Sequence, residues 1–255
     1  MKKAIPKGKT LFLTGIVALI LWVFGHRLPV RDVLELLGTA VERSDSGYLL
    51  AAASFLVGIN CLRATCLYVG WFLIGDSLAE MFPGCGRPSR LIPVIGIPAC
   101  YSLAPFFIER TLLHFGTPAA LSIASVVLLK YLTADIRDWG GRTIALAMFV
   151  CSFQWLDVMP CVTAWGAGRG ELSTAIKAVA GLMGMGKALD IAGALIGTGI
   201  FLSGVIMTRL LVSYSSRLHH LALLRRRERE LARMREERLR DRTIREQQHL
   251  VHDLK

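Results

Sequence analysis

From Val205 to Lys255 the chain has neither glycine nor proline, and only 19% of its 255 residues are charged. The first absence removes every strong helix breaker from the C-terminal stretch and leaves it to Leu, Arg, Glu, Gln and Ala, which favour helix. The second excludes an ordinary soluble domain, because 53% apolar residues and a mean hydropathy of +0.50 fit a membrane protein. No Cys-x-x-Cys pair occurs among Cys61, Cys66, Cys85, Cys100, Cys151 and Cys161, and no histidine stands near them at ligand spacing. That argues against a zinc site, and no metal is expected; the cysteines read as small apolar side chains of membrane helices. No GxxxxGK[ST] phosphate loop is present. No small-residue cleavage site follows "MKKAIPKGKTLFLTGIVALILWVFG" either, since "HRLPVRD" comes next. The N-terminus is therefore a first spanning helix and not a removable signal peptide.

What charge there is lies at the ends. The first nine residues hold four lysines, and residues 213–255 hold twelve Lys/Arg against seven Asp/Glu. Basic flanks around an apolar body indicate cytoplasmic ends beside anionic membrane lipids, not nucleic-acid binding.

A spanning helix needs about 20 mostly apolar residues. Six segments qualify, at roughly 10–26, 48–75, 91–108, 118–133, 143–159 and 189–212. The third carries Pro93, Pro98 and Pro105 and should be kinked or broken. The fourth opens on Thr117 as a candidate N-cap and Pro118 at the first helical position. Residues 161–188 are ambiguous, and their lysines and glycines favour an interfacial helix. Six crossings bring both basic ends to the same, cytoplasmic side of the inner (plasma) membrane. No loop is long enough to form an independent external domain.

The expected fold is thus an all-α membrane protein: about six transmembrane helices followed by a long cytoplasmic helix. The organisation is a multispan sensor domain over 1–212, a signalling helix over 213–248, and a terminal motif over 249–255. Some 50 residues of unbroken helix at ~1.5 Å each would make a rod of about 75 Å. Leu218, Leu221, Leu224 and Leu231, then Ala232 and Leu239, then Ile244, Val251 and Leu254 recur at spacings of three, four and seven. The phase slips between these sets, which suits a parallel two-stranded coiled coil with stutters; the competing reading is a basic helix on the membrane surface. Gly193, Gly197 and Gly204 put small residues on one face of the last span, for close packing against a second copy or within the chain.

The chain ends "HLVHDLK". An imidazole can attack a phosphoryl group when a neighbouring base takes its other proton, and an adjacent carboxylate on the same helical turn supplies one. In this position the motif resembles the opening of the H-box of bacterial sensor histidine kinases. The resemblance covers about seven residues directly, and more loosely the plan of multispan sensor, coiled coil and phosphoacceptor helix. It implies that His252 is the phosphoacceptor and Asp253 the assisting acid or base. It also implies a homodimer, a cognate response regulator as partner, and ATP with Mg as the parent kinase's cofactor. The Pro-Leu part of the box and the asparagine- and glycine-rich ATP-binding boxes are not in this sequence, so this stretch is expected to bind no ATP and to belong to a longer kinase. His249 matches no functional position.

Several polar groups interrupt the apolar runs: Asn60 and Arg63, Lys130, Gln154 and Asp157, and Asp190. A charge left in lipid costs roughly 2.5–3.5 kcal/mol on insertion scales, which makes each one a candidate for function. Arg63 is the most central, with Asn60 on a similar face, and with Gln154 or Asp157 it could line a pocket sensing a small ligand, ion or proton. The alternative is a structural interhelical pair. Lys130 and Asp190 lie near segment ends and can snorkel. Two other functions share this body: a six-helix receptor with a different cytoplasmic output, and a small transporter or scaffold with a basic tail.

Overall fold

The computed structural model describes residues 7–25, 31–82, 84, 89, 91–108, 117–136, 138–162 and 170–253; for 7, 102, 104–108, 117–122, 170–171, 219 and 237–253 it describes the backbone alone. Among the described residues the protein is all-helical, with no strand. The helices are α1 (Lys7–Gly25), α2 (Arg31–Arg43), α3 (Ser46–Met81), α4 (Ile92–Ile108), α5 (Thr117–Leu132), α6 (Trp139–Val158), α7 (Gly170–Leu182) and α8 (Gly186–Asp253). The chain divides into two units, Met1–Thr208 and Arg209–Lys255.

In the first unit, α3 is the central element, and α1, α2, α4, α6 and α7 all pack on it. The half of α3 from Arg63 to Met81 lies antiparallel to α1, with Gly8 against Ser77 and Met81, Gly15 against Gly70, and Gly25 against Arg63. A Cβ added at Gly15 would sit 2.9 Å from the Gly70 carbonyl oxygen, so the two backbones touch where neither residue has a side chain. On α4, Gly96 lies flat against the Trp71 indole, whose Nε1 donates to Cys100 Sγ at 3.4 Å. Of the two expectations for this segment, kinked or broken, a break is absent: α4 is one helix through Pro98. Pro93 stands in its first turn, where a missing N–H leaves no intrahelical bond unmade.

Helix α6 starts from Asp138, whose side chain accepts from Gly141 N at 2.7 Å. It runs antiparallel to the first part of α8: Gly193 meets Met159, Gly197 meets Trp155, and Gly204 meets Phe149. Ser152 Oγ donates to the Gly197 carbonyl at 2.7 Å, and Phe149 and Phe153 flank Phe201. The glycine face of α8 is therefore occupied within the chain, the second of the two packings expected for it.

The other half of α3 belongs to an apolar core shared with α2, α7 and the ends of α6 and α8. Helix α2 is amphipathic, with Val33, Leu37 and Ala40 buried and its charges facing out. It ends in a left-handed residue, Ser44 (φ 50), while Asp45 N bonds back to Ala40 O at 3.1 Å. Asp45 then caps α3 by accepting from Gly47 N at 2.7 Å. Helix α7 closes the same way: Gly184 (φ 67) is left-handed, and Met185 N reaches Ala180 O at 2.7 Å.

By length and composition, three helical stretches can cross a membrane: Gly8–Gly25, Ser46–Met81 and Gly186–Glu236. They make the protein compatible with a membrane setting. Of the other expected spans, α4 and α5 have only 17 and 16 residues, and α6 contains Arg142 and Asp157. Helix α7, at 13 residues, is too short to cross.

The second unit is helical through Asp253. Its leucines stand open along the helix, with Leu210, Leu218, Leu221, Leu224 and Leu231 all 43–61% exposed.

Candidate functional site

The half of α3 that faces α1 begins at a group of buried polar side chains. Asn60 and Arg63, one turn apart, are 5% and 6% exposed, and Asp157 near the end of α6 is 4% exposed. Charges so deeply buried persist only where other charges or dipoles replace water. Tyr101 of α4 lies within electrostatic range of Arg63, Asp157 and Tyr68 together. Tyr68 shares a short hydrogen bond with Ser125 of α5. Arg63 lays its stem on Gly25: a Cβ there would be 2.7 Å from Arg63 Cγ.

Helix α7 covers the end of α6. Ser173 Oγ donates to the Asp157 carbonyl oxygen at 2.6 Å, and Lys177, one turn on, lies within range of the Asp157 charge. Burial pushes the Lys177 ammonium below the ordinary lysine value, and the Asp157 carboxylate opposes that shift. Arg63 and Asp157 thus both lie within range of Tyr101, and Asn60 is buried one turn from Arg63. Gln154 is half-buried on α6, three residues before Asp157. Among the described residues, Asn60 Oδ1 is a buried acceptor that receives no hydrogen bond.

Tyr101 and Lys177 escape a reading of the sequence. Tyr101 is an ordinary aromatic in an apolar run, and Lys177 suits an interfacial helix equally well. Only the packing of α4 and α7 brings them to Arg63 and Asp157.

A second polar cluster, further along α3, has the same history. Arg142 Nη1 meets Asp76 Oδ2 at 2.9 Å, and Arg142 Nε donates to Thr133 Oγ1 at 3.4 Å. Its guanidinium lies over Trp139 and Phe72 at 4.7 and 5.4 Å from the ring centroids. At 12% exposure, Arg142 ties α3 to the end of α5 and the start of α6. Both residues fall just outside the apolar runs 48–75 and 143–159, and nothing local in the sequence joins them.

At the other end of the chain, His252 and Asp253 are the last two residues of α8, one turn beyond His249. Their side chains lie outside the described residues, as does Lys255. Among the described residues, no three His, Cys, Asp or Glu side chains converge as metal ligands. An all-helical chain with a buried polar locus on its central helix is the class defined here. No family model, curated protein or solved structure matches it.

Proposed function

We propose that this chain is the sensing and transmitting part of a membrane-bound sensor histidine kinase, acting as a homodimer in the inner (plasma) membrane with both ends cytoplasmic. The observation that carries the reading is α8. It is one helix from the glycine seam against α6 to the His252–Asp253 pair. The reading takes α1, α3, α4, α5, α6 and α8 as six crossings, supported by the antiparallel order of α1 on α3, α4 on α3 and α6 on α8.

In this reading a small ligand, ion or proton alters the Asn60–Arg63–Asp157 locus and the packing of α6. Helix α8 follows through Gly193, Gly197 and Gly204, because a close-packed seam has discrete arrangements and does not deform smoothly. The leucines beyond Arg209 pair with a second copy. His252 attacks the γ-phosphorus of Mg-bound ATP held by a catalytic domain, ADP leaves, and Asp253 receives the imidazole proton. The phosphoryl group then passes to an aspartate of a response regulator.

The test fuses the chain, in register, to a complete dimerisation hairpin and ATP-binding domain of a histidine kinase. Labelled ATP should give an acid-labile, base-stable phosphate that vanishes in His252→Gln. Arg63→Gln should leave the fusion folded but change its basal labelling at least several-fold. Equal labelling of the His252→Gln protein would overturn the phosphoacceptor assignment, and unchanged labelling of Arg63→Gln would remove the sensing locus.

A further inference from the structure

We propose that Cys61 and Cys151 form a dithiol site that a two-electron oxidant of the hydroperoxide class converts to a disulfide joining α3 to α6. The inference does not depend on the kinase reading.

The geometry comes from backbone and side chain together. Cys61 Sγ lies 3.5 Å from the carbonyl oxygen of Ala147. In an α-helix that carbonyl is the acceptor for the N–H four residues on, which here is Cys151. The Cys61 sulfur therefore stands beside the very turn of α6 that carries the second thiol. A disulfide needs Cβ atoms about 3.5–4.5 Å apart, which requires two helices to meet through small residues; Cys61, Ala147 and Cys151 are such residues. Neither thiol is sealed in the core, since both are half-buried. The remaining described cysteines differ. Cys100 takes a hydrogen bond from Trp71, Cys161 is an exposed residue beside Asp190, and Cys66 is half-buried in α3.

The chemistry balances in two steps. One thiolate attacks the peroxide's terminal oxygen, the O–O bond breaks, and water or an alcohol leaves after taking a proton; the sulfur is now a sulfenic acid. The second thiol then attacks that sulfur, the S–O bond breaks, and a second water departs. Two electrons have passed from the thiols to the peroxide.

The bond would act on more than these two residues. Cys61 sits between Asn60 and Arg63, and Cys151 adjoins Ser152, which holds Gly197 of α8. Cross-linking would fix α3 against the helix that carries the seam.

The experiment treats the purified full chain, in lipid nanodiscs, with hydrogen peroxide and reads it by intact mass and peptide mapping without reductant. A loss of 2 Da and a Cys61–Cys151 linked peptide, formed at least ten times faster than any other pairing, is expected. Cys61→Ser should instead leave Cys151 as a sulfenic acid that dimedone traps. Slow or indiscriminate pairing in the wild-type chain would overturn the proposal, as would sulfinic acid accumulating at Cys151 with no linked peptide.

Discussion

At the scale of single residues, the molecule is governed by where charge can be tolerated. Cys161 shows it on a small scale. Its backbone N–H donates to Asp190 Oδ1 at 3.0 Å, and the same carboxylate, through a hydrogen bond from the thiol, holds the Cys161 pKa above the ordinary cysteine value. The thiolate is disfavoured in the folded state, so the folded chain keeps its proton to higher pH than the unfolded one. Stability linked to this group is therefore present below the ordinary thiol value and lost as pH rises through the raised one. Asp190→Asn removes the charge. Alkylation of Cys161 by iodoacetamide at pH 8, followed by mass spectrometry, should run several-fold faster in that variant, and the midpoint of its pH–rate curve should move down. An unchanged curve would show that Asp190 does not control the thiol. Arg63 and Asp157 follow the same logic in a drier place. Both are buried, Arg63 beside Tyr101 of α4 and Asp157 beside Tyr101 and Lys177 of α7, so each charge sits where dipoles and other charges must replace water.

At the scale of helices, backbone contact decides the arrangement. The α6–α8 seam depends on Gly197, where an added Cβ would already lie 3.3 Å from Trp155 Cβ. Gly197→Leu must push the helices apart and break the Ser152 bond, a change worth about 1–3 kcal/mol by the usual cost of overpacking. Thermal denaturation in detergent should register it as a lowered Tm, while Gly199→Leu, at a position with open space around it, should change Tm little. Much of this level was legible in the sequence. Apolar length marked the starts of α1, α3, α4, α5, α6 and α8 to within four residues, and the run without glycine or proline foretold that α8 continues to Asp253. Helix α2 was not legible, because Arg31, Asp32, Glu35, Glu42 and Arg43 dilute its apolar face and Val33, Leu37 and Ala40 gain meaning only against α3. The Asp76–Arg142 pair was hidden for a related reason: its partners stand 66 positions apart, and no local pattern records such a distance. The locus around Arg63 was half legible, since a charge in an apolar run is conspicuous while a tyrosine that answers it is not.

For the whole molecule, the proposed mechanism makes the phase of α8 the transmitted quantity. Inserting one, two, three or four alanines after Leu224 should rotate everything beyond by about 100° per residue. In the fusion protein, phosphorylation of His252 should rise and fall with that rotation and return near its starting level at an insertion of four. A monotonic decline would argue for simple tethering instead. The open leucines beyond Arg209 add a second expectation: the full chain should sediment as a dimer in detergent, and glutamates at Leu218 and Leu221 should shift it to monomer. A wild-type monomer would remove the pairing on which the mechanism relies.

Helix α3, finally, is too long for the job its apolar stretch suggests. Its 36 residues extend about 54 Å at ~1.5 Å each, against a hydrocarbon layer of ~30 Å. In the proposed six-crossing arrangement the half beside α1 would fill that layer, and the Ser46 half, with its sheath of α2 and α7, would stand beyond it, in the headgroup zone or in water. On that reading the Ser46 end, α2 and α7 would form a small knob outside the layer, and Arg63 and Asp157 would lie at its neck, within reach of solutes that never enter the membrane.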